Sequence, residues 1–307
     1  MSFSHIKEQP RAVKTLKGFL SSGKIPSAML FLGPDGIGKT LAAEAFAQAL
    51  ICRQPQQYLA CGLCAECRAL TQKIHPDVKM VNANYQASLR SEEPAKQKTL
   101  RVETIRRLRN DMELQPLAGG WKVAIVEQAH TLETEGANAL LKILEEPPRQ
   151  TLWILTACRK ERLPKTVVSR CFVIPFTPLA ENTVKELLIE KNISPDRAES
   201  LARLSEGSVG QALELAELSS YEPANPLSPF AAADALPKEL FLARTQVELA
   251  LHRLSQTLRL RHLRGQLSFS RVERPLRELR GLGRALKSNA DPRLILTLGY
   301  LEAEPLL

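Results

Sequence analysis

The sequence predicts an α/β domain built on a parallel sheet covered on both faces, followed by a region made of helices alone. Three observations carry that prediction. Short apolar runs alternate with amphipathic helical segments across residues 27–176, the pattern of a sheet with crossover helices on both sides. A stretch of the form G-x-x-x-x-G-K-T, Gly33-Pro34-Asp35-Gly36-Ile37-Gly38-Lys39-Thr40, joins the first apolar run to a helix-forming segment. From Pro178 onward strand-like runs stop and apolar residues keep helical spacing.

Residues 5–24 read as a helix, with Ile6, Val13, Leu16, Phe19 and Leu20 on one face and lysines opposite. Gly23 ends it, and Pro26 leads into the strand Ala28-Met29-Leu30-Phe31-Leu32. The glycine loop then opens a helix rich in alanine and leucine, Leu41–Leu50. Strand, glycine loop and helix are the setting a phosphate-binding loop needs. Glycines let successive backbone N–H groups face phosphate oxygens, and the helix N-terminus adds partial positive charge. Lys39 is expected on the β/γ-phosphates of ATP or ADP, and the Thr40 hydroxyl on Mg²⁺.

Four of the six cysteines follow closely: Cys52, Cys61, Cys64 and Cys67. Four thiolates close a tetrahedral zinc shell with no open position, which predicts a structural Zn²⁺ site. The competing reading is a loop of reduced, unliganded cysteines. No histidine is needed for the shell, so His75, followed by Pro76-Asp77, reads as a turn residue.

Asp77–Val81 reads as a second strand, and residues 82–98, polar with one proline, as a mobile surface loop. A helix follows from about Arg101 to Leu114, with Val102, Ile105, Leu108 and Met112 as its apolar stripe. Arg101, Arg106, Arg107 and Arg109 lie outside that stripe. They suit a neighbouring subunit, a phosphate or plain solvent equally. Trp121–Glu127 is a strand ending in an acid; in phosphate-loop ATPases that place holds the carboxylate that orders Mg²⁺. Gln128 comes next, and an amide can hydrogen-bond water but cannot accept its proton. A helix over 134–146 ends at Pro147-Pro148, Thr151–Thr156 is another strand, and Phe172-Val173-Ile174 the last apolar run.

Beyond Pro178, helices are expected at 181–191, 195–204 and 208–218, then a proline-rich boundary with Pro223, Pro226, Pro229 and Pro237. Residues 238–306 are helical and arginine-rich, including Arg253, Arg259, Arg261, Arg264, Arg271, Arg274, Arg277, Arg280 and Arg284. A helical bundle with a basic outer face is the favoured reading over direct DNA binding, because no aromatic residues interleave with the charge.

With 307 residues the chain is long enough for two or three domains, and 44% hydrophobic residues is ordinary for a soluble protein. No apolar run approaches a membrane span and the N-terminus lacks a signal-peptide shape, so a cytoplasmic location is expected. Cysteines there are metal ligands rather than disulfides. A net charge of +9 favours a polyanionic partner without identifying one.

Together these motifs resemble the AAA+ clamp-loader subunits of bacterial DNA polymerase III across nearly the whole chain. The residues that carry the resemblance are the phosphate loop, the four-cysteine insertion, Ala139-Leu140-Leu141-Lys142-Ile143-Leu144-Glu145-Glu146-Pro147-Pro148, and Ser169-Arg170-Cys171, which is similar to the family's Ser-Arg-Cys motif. The resemblance implies an α/β AAA+ core with a zinc-binding insertion at 1–177, a helical lid at 178–220, and a C-terminal helical collar for oligomerisation at 221–307. It implies a hetero-pentameric ring with gamma/tau and delta subunits, acting on the sliding clamp and primed DNA. The role of arginine finger, acting in trans on ATP in the neighbouring subunit, falls on Arg170.

Motor subunits of the family keep a catalytic glutamate where Gln128 stands and a phosphate-sensing arginine where Gly210 stands; their polar sensor falls near Cys158. Loss of the cis machinery with the trans finger retained resembles the delta-prime type. The expectation is therefore a scaffold that binds nucleotide with weak or no hydrolysis. A motor ATPase working through Glu127, or a free-standing DNA-dependent ATPase, are the alternatives.

Overall fold

All five strands of the expected sheet form, and every pairing between them is parallel. The computed structural model describes residues 3–90, 92, 99–118, 120–219, 229–237, 240–263, 265–288 and 290–306. The strands are β1 (Ala28–Leu32), β2 (Val78–Val81), β3 (Lys122–Val126), β4 (Thr151–Ala157) and β5 (Phe172–Pro175), in the order β2-β3-β4-β1-β5. Their near-continuous apolar runs follow from burial on both faces. Met29, Phe31, Val123, Ile125, Leu152 and Ile154 point to one side, and Ala28, Leu30, Ala124, Val126, Trp153 and Leu155 to the other.

The first face is covered by α1 (Pro10–Ser22) and α2 (Lys39–Ile51), through Leu16, Ala42 and Phe46. A left-handed Gly23 at φ +68° ends α1 where the sequence placed its stop. The short α3 (Ala65–Thr71) follows α2. Over the second face lie α5 (Val102–Glu113) and α6 (Thr134–Glu145), with α4 (Ala83–Arg90) between β2 and α5. The stripe Ile105, Leu108 and Met112 is fully enclosed, each side chain stabilising the fold by roughly 1.5–3 kcal/mol. Asp77, at the entrance to β2, is also enclosed. Its two carboxylate oxygens accept from the backbone N–H groups of Leu117 (2.8 Å) and Ala118 (2.7 Å), which satisfies the buried charge.

Helix α4 corrects the reading of 82–98 as a loop. Asn82 caps it, its Oδ1 accepting from the Tyr85 N–H at 3.0 Å. Buried Gln86 holds it to the chain beyond: its Oε1 accepts from Arg101 N and Thr104 Oγ1, and its Nε2 donates to Thr99 O. The rest of that expected loop, 91 and 93–98, lies outside the described residues.

A four-residue α7 (Lys165–Val168) precedes β5, and α8 (Glu181–Ile189), α9 (Pro195–Leu204) and α10 (Val209–Ser219) follow it. The chain divides into two compact units, Met1–Leu213 and Glu214–Leu307. The second unit holds α11 (Pro229–Asp234), α12 (Leu240–Leu263), α13 (Phe269–Lys287) and α14 (Pro292–Ala303), packed around Val247, Leu251, Leu258, Val272, Leu279 and Ile295. Arg271, Arg274, Arg277, Arg280 and Arg284 are exposed on α13, while Val272, Pro275 and Leu279 turn inward. Of the proline-rich boundary, Pro223 and Pro226 lie outside the described residues, as do Arg264 and the side chain of Arg259. No helix among the described residues is long and apolar enough to cross a membrane.

Candidate functional site

Strand β1 delivers the chain at the C-terminal edge of the sheet, where the loop Gly33–Thr40 turns into α2. Gly33 N–H donates to Ala157 O at 3.1 Å, and Ile37 is buried in the core below, so the loop is anchored at both ends. Gly36 and Gly38 adopt φ +72° and +96°, conformations that exclude most side chains. Lys39 is only 5% exposed. Its ammonium donates to Gly33 O and Pro34 O, both at 2.5 Å, and reaches Asp35 Oδ1 at 3.3 Å. Burial holds its pKa below the ordinary lysine value, and Asp35 opposes that shift.

A cleft of about 480 Å³ opens over this loop, within the size range of ligand sites. Asp35–Thr40, Glu127, Gln128 and Thr156 line it. Ile6, Leu179, Leu187, Val209 and Leu213 add apolar lining, with His5, Lys7 and Lys191 among them. The buried lysine, the left-handed glycines and the cleft over the loop fit a nucleotide: Gly33–Thr40 would hold the phosphates, and Thr40 with Glu127 the Mg²⁺.

Glu127 follows β3, where the sequence placed it. Burial pushes its pKa up, while Asn82 Nδ2 donates to Oε1 at 3.3 Å and favours the carboxylate. Glu44 of α2 is 4% exposed and likewise shifted upward, first by burial and in part by Glu127. Gln128 lines the cleft in a left-handed conformation, φ +49°, with its N–H bound to Thr156 Oγ1 at 3.0 Å.

The start of α10 lies directly on the phosphate loop. Gly210 N–H donates to Gly36 O at 3.1 Å, and Ser208 Oγ donates to Asp35 O at 2.7 Å. A Cβ added to Gly210 would stand 2.7 Å from Gly36 Cα, so this approach is open to glycine alone. Gly36→Ala adds both a strained φ and a Cβ 2.4 Å from Ser208 Oγ. We expect it to destabilise the unit by about 1–3 kcal/mol, read as a drop of several degrees in Tm, and to weaken nucleotide binding. An unchanged Tm would show that α10 does not rest on the loop in solution.

The four cysteines expected to bind metal come together, with all Sγ atoms within 4.8 Å of one another. Tetrahedral zinc holds sulfurs about 3.8 Å apart, so small side-chain movements close the shell. Each turn of the cluster feeds an N–H to the sulfur before it: Cys61 N to Cys52 Sγ, Cys64 N to Cys61 Sγ, and Cys67 N to Cys64 Sγ, at 3.3–3.4 Å. Burial alone would raise the Cys64 thiol, yet donors from Cys67 and Arg53 outweigh it and bring its pKa down to about 6. Burial pushes Cys52 and Cys67 up instead. The donor set fits Zn²⁺, and a dication is what would draw all four to the thiolate.

His75 is more than a turn residue. It is buried, its Nδ1 accepts from Asp77 N–H at 3.1 Å, and its Nε2 lies 3.1 Å from Glu66 Oε2. Glu66 also pairs with Arg53 at 2.8 Å, so this contact ties the cysteine segment to the entrance of β2.

Arg170 follows α7 and does not line the cleft. Its guanidinium is partly exposed, held by Thr166 O at 3.0 Å and Glu145 Oε1 at 2.5 Å. Sequence reasoning missed Glu44, buried in α2, and three side chains that reach across long stretches of chain: Asn82 to Glu127, Thr156 to Gln128 N–H, and Ser208 to Asp35 O. Only the cap pattern at Asn82 carried a local signal.

The family model described as DNA polymerase III, delta subunit matches residues 8–180. The tau subunit of DNA polymerase III from Escherichia coli strain K12 is 31% identical over 222 residues, 70% of this chain and 32% of that protein. The delta′ subunit from Bacillus subtilis strain 168 is 30% identical over 207 residues, 67% of this chain and 59% of that protein. The chain thus spans less than two thirds of either relative. A gamma-subunit-related protein from Thermotoga maritima overlays with a TM-score of 0.54 at 18% identity, covering 95% of this chain and 99% of that one, which is a likeness of fold.

Proposed function

This chain belongs to the DNA polymerase III delta subunit family, and we propose from that membership that it is a clamp-loader subunit of the delta-prime type. In this reading it is a scaffold that holds ATP or ADP, cleaves it weakly or not at all, and lends Arg170 to the ATP site of a neighbouring gamma/tau subunit. The ring it joins would include gamma/tau and delta subunits and place a sliding clamp on primed DNA. Its parts would be a core over 1–177, a lid over 178–220 and a collar over 221–307.

The observation that carries the reading is the separation of the two halves of the chemistry. Gln128, which cannot take a proton from water, lines the chain's own cleft, while Arg170 stands outside that cleft with its guanidinium at the surface. Gly210 supports it: its contact with Gly36 leaves no room for a phosphate-sensing side chain. Cys52, Cys61, Cys64 and Cys67 would hold a structural zinc.

One observation favours the motor reading: Glu127 lies in the cleft beside an intact phosphate loop. Nucleotide retained on the purified protein tests the scaffold reading. Wild type is expected to hold ADP or ATP with Mg²⁺, and Lys39→Ala to lose at least about 100-fold in affinity, since it removes the ammonium from the phosphates. Equal affinity in the two proteins would remove the loop from nucleotide binding altogether.

A further inference from the structure

Three neighbouring strands end around a second group of metal-ligating side chains, separate from the four-cysteine shell, of which Asp35 also lines the nucleotide cleft. Asp35 leaves β1 in the phosphate loop, His130 sits in the single turn after β3, and Cys158 immediately follows β4. Since β3, β4 and β1 are adjacent, the parallel sheet delivers one ligand from each strand end to a single point. A carboxylate oxygen of Asp35, an imidazole nitrogen of His130 and the Cys158 sulfur all lie within 4.8 Å of one another.

We propose that Asp35, His130 and Cys158 form a second metal site, selective for zinc or another thiolate-seeking divalent transition ion, at the edge of the phosphate loop. One sulfur, one nitrogen and one oxygen ligand is a set that zinc takes with a fourth position left for water or a phosphate oxygen. Tetrahedral coordination needs these atoms about 3.4–3.6 Å apart, a contraction of up to roughly 1 Å that the Asp35 side chain, 52% exposed and held by Lys39 at 3.3 Å, can make by giving up that ion pair. His130 supplies an independent sign. Its Nδ1 is sealed from solvent and has no hydrogen-bond partner among the described residues, a state few buried polar atoms keep.

The Lys39 ammonium, 3.3 Å from Asp35 Oδ1, and the positive charge of Arg162 near His130 are features that oppose a cation here. The ammonium is already bound to Gly33 O and Pro34 O, and a dication with a carboxylate and a thiolate is neutral overall. The ion also differs in kind from the nucleotide's magnesium, which prefers all-oxygen octahedral shells. Bound there, it would fasten Asp35 of the phosphate loop to the ends of β3 and β4, giving zinc a hold on the proposed nucleotide site.

The test is zinc stoichiometry of the full-length protein after dialysis against micromolar free Zn²⁺, without nucleotide, together with the absorption spectrum of the Co²⁺-loaded form. Wild type is expected to hold about two zinc ions, Cys158→Ser and His130→Ala about one each, with the spectrum of the four-cysteine shell unchanged in both variants. Cys64→Ser should retain the Cys158-dependent ion if it folds. One zinc per wild-type chain would overturn the proposal, and so would two zinc ions in both Cys158→Ser and His130→Ala. The measurement is independent of whether the protein hydrolyses nucleotide.

Discussion

Arg170→Ala, placed in a reconstituted clamp-loader complex, is expected to slow hydrolysis at the one neighbouring ATP site by a factor on the order of 10³. A fixed guanidinium offers bidentate donors to the γ-phosphoryl oxygens as charge grows on them, and alanine offers nothing. Nucleotide affinity of this chain should not change, because Arg170 lies outside its own cleft. That split separates a trans finger from a residue that merely stabilises the fold. Arg170→Lys should recover little, since a point charge does not reproduce the planar fork. Single-turnover hydrolysis by the complex, with DNA and clamp present, reads the effect; a rate unchanged by Arg170→Ala would remove the finger from the account.

The second large effect concerns the metal. Cys64→Ser should remove the structural zinc and unravel the segment from Cys52 to Cys67. Structural zinc sites contribute roughly 10–16 kcal/mol of binding at neutral pH in small peptides, and serine replaces a thiolate with a neutral hydroxyl. N–H donors hold the Cys64 thiol low, which favours the thiolate a metal needs. The consequence should stay local. Glu66, His75 and Arg53 tie this segment to the entrance of β2, while the strands carry their own buried faces. Metal analysis and limited proteolysis report the outcome, with faster cleavage between 52 and 67 expected in the variant. Wild-type protein free of zinc, or a variant that keeps it, would contradict the assignment.

Most of the sheet could be read from the sequence because its strands are buried on both faces and appear as unbroken apolar runs between turn residues. The phosphate loop was equally legible, since glycine spacing and flanking elements are local properties. Helix α4 was not. Its stability rests on buried Gln86 and the Asn82 cap rather than on an apolar stripe, so periodicity had nothing to detect. Contacts across long stretches of chain were hidden for a different reason. The approach of Gly210 to Gly36 and the hydrogen bond from Asn82 to Glu127 join residues whose spacing carries no pattern. His75 illustrates the same limit: its neighbours Pro76 and Asp77 suggested a turn, while burial against Glu66 depends on where α3 packs.

The phosphate loop by itself would announce an ATPase; with Gln128, Gly210 and Arg170, the reading we propose is a cradle that holds nucleotide without cleaving it, while Arg170 serves a neighbour's site. The most direct test is steady-state ATP hydrolysis by the isolated full-length protein, saturated with Mg²⁺-ATP and with bound nucleotide quantified alongside. The account predicts occupied protein turning over far below ordinary enzyme rates; turnover at about 1 s⁻¹ or faster would contradict it.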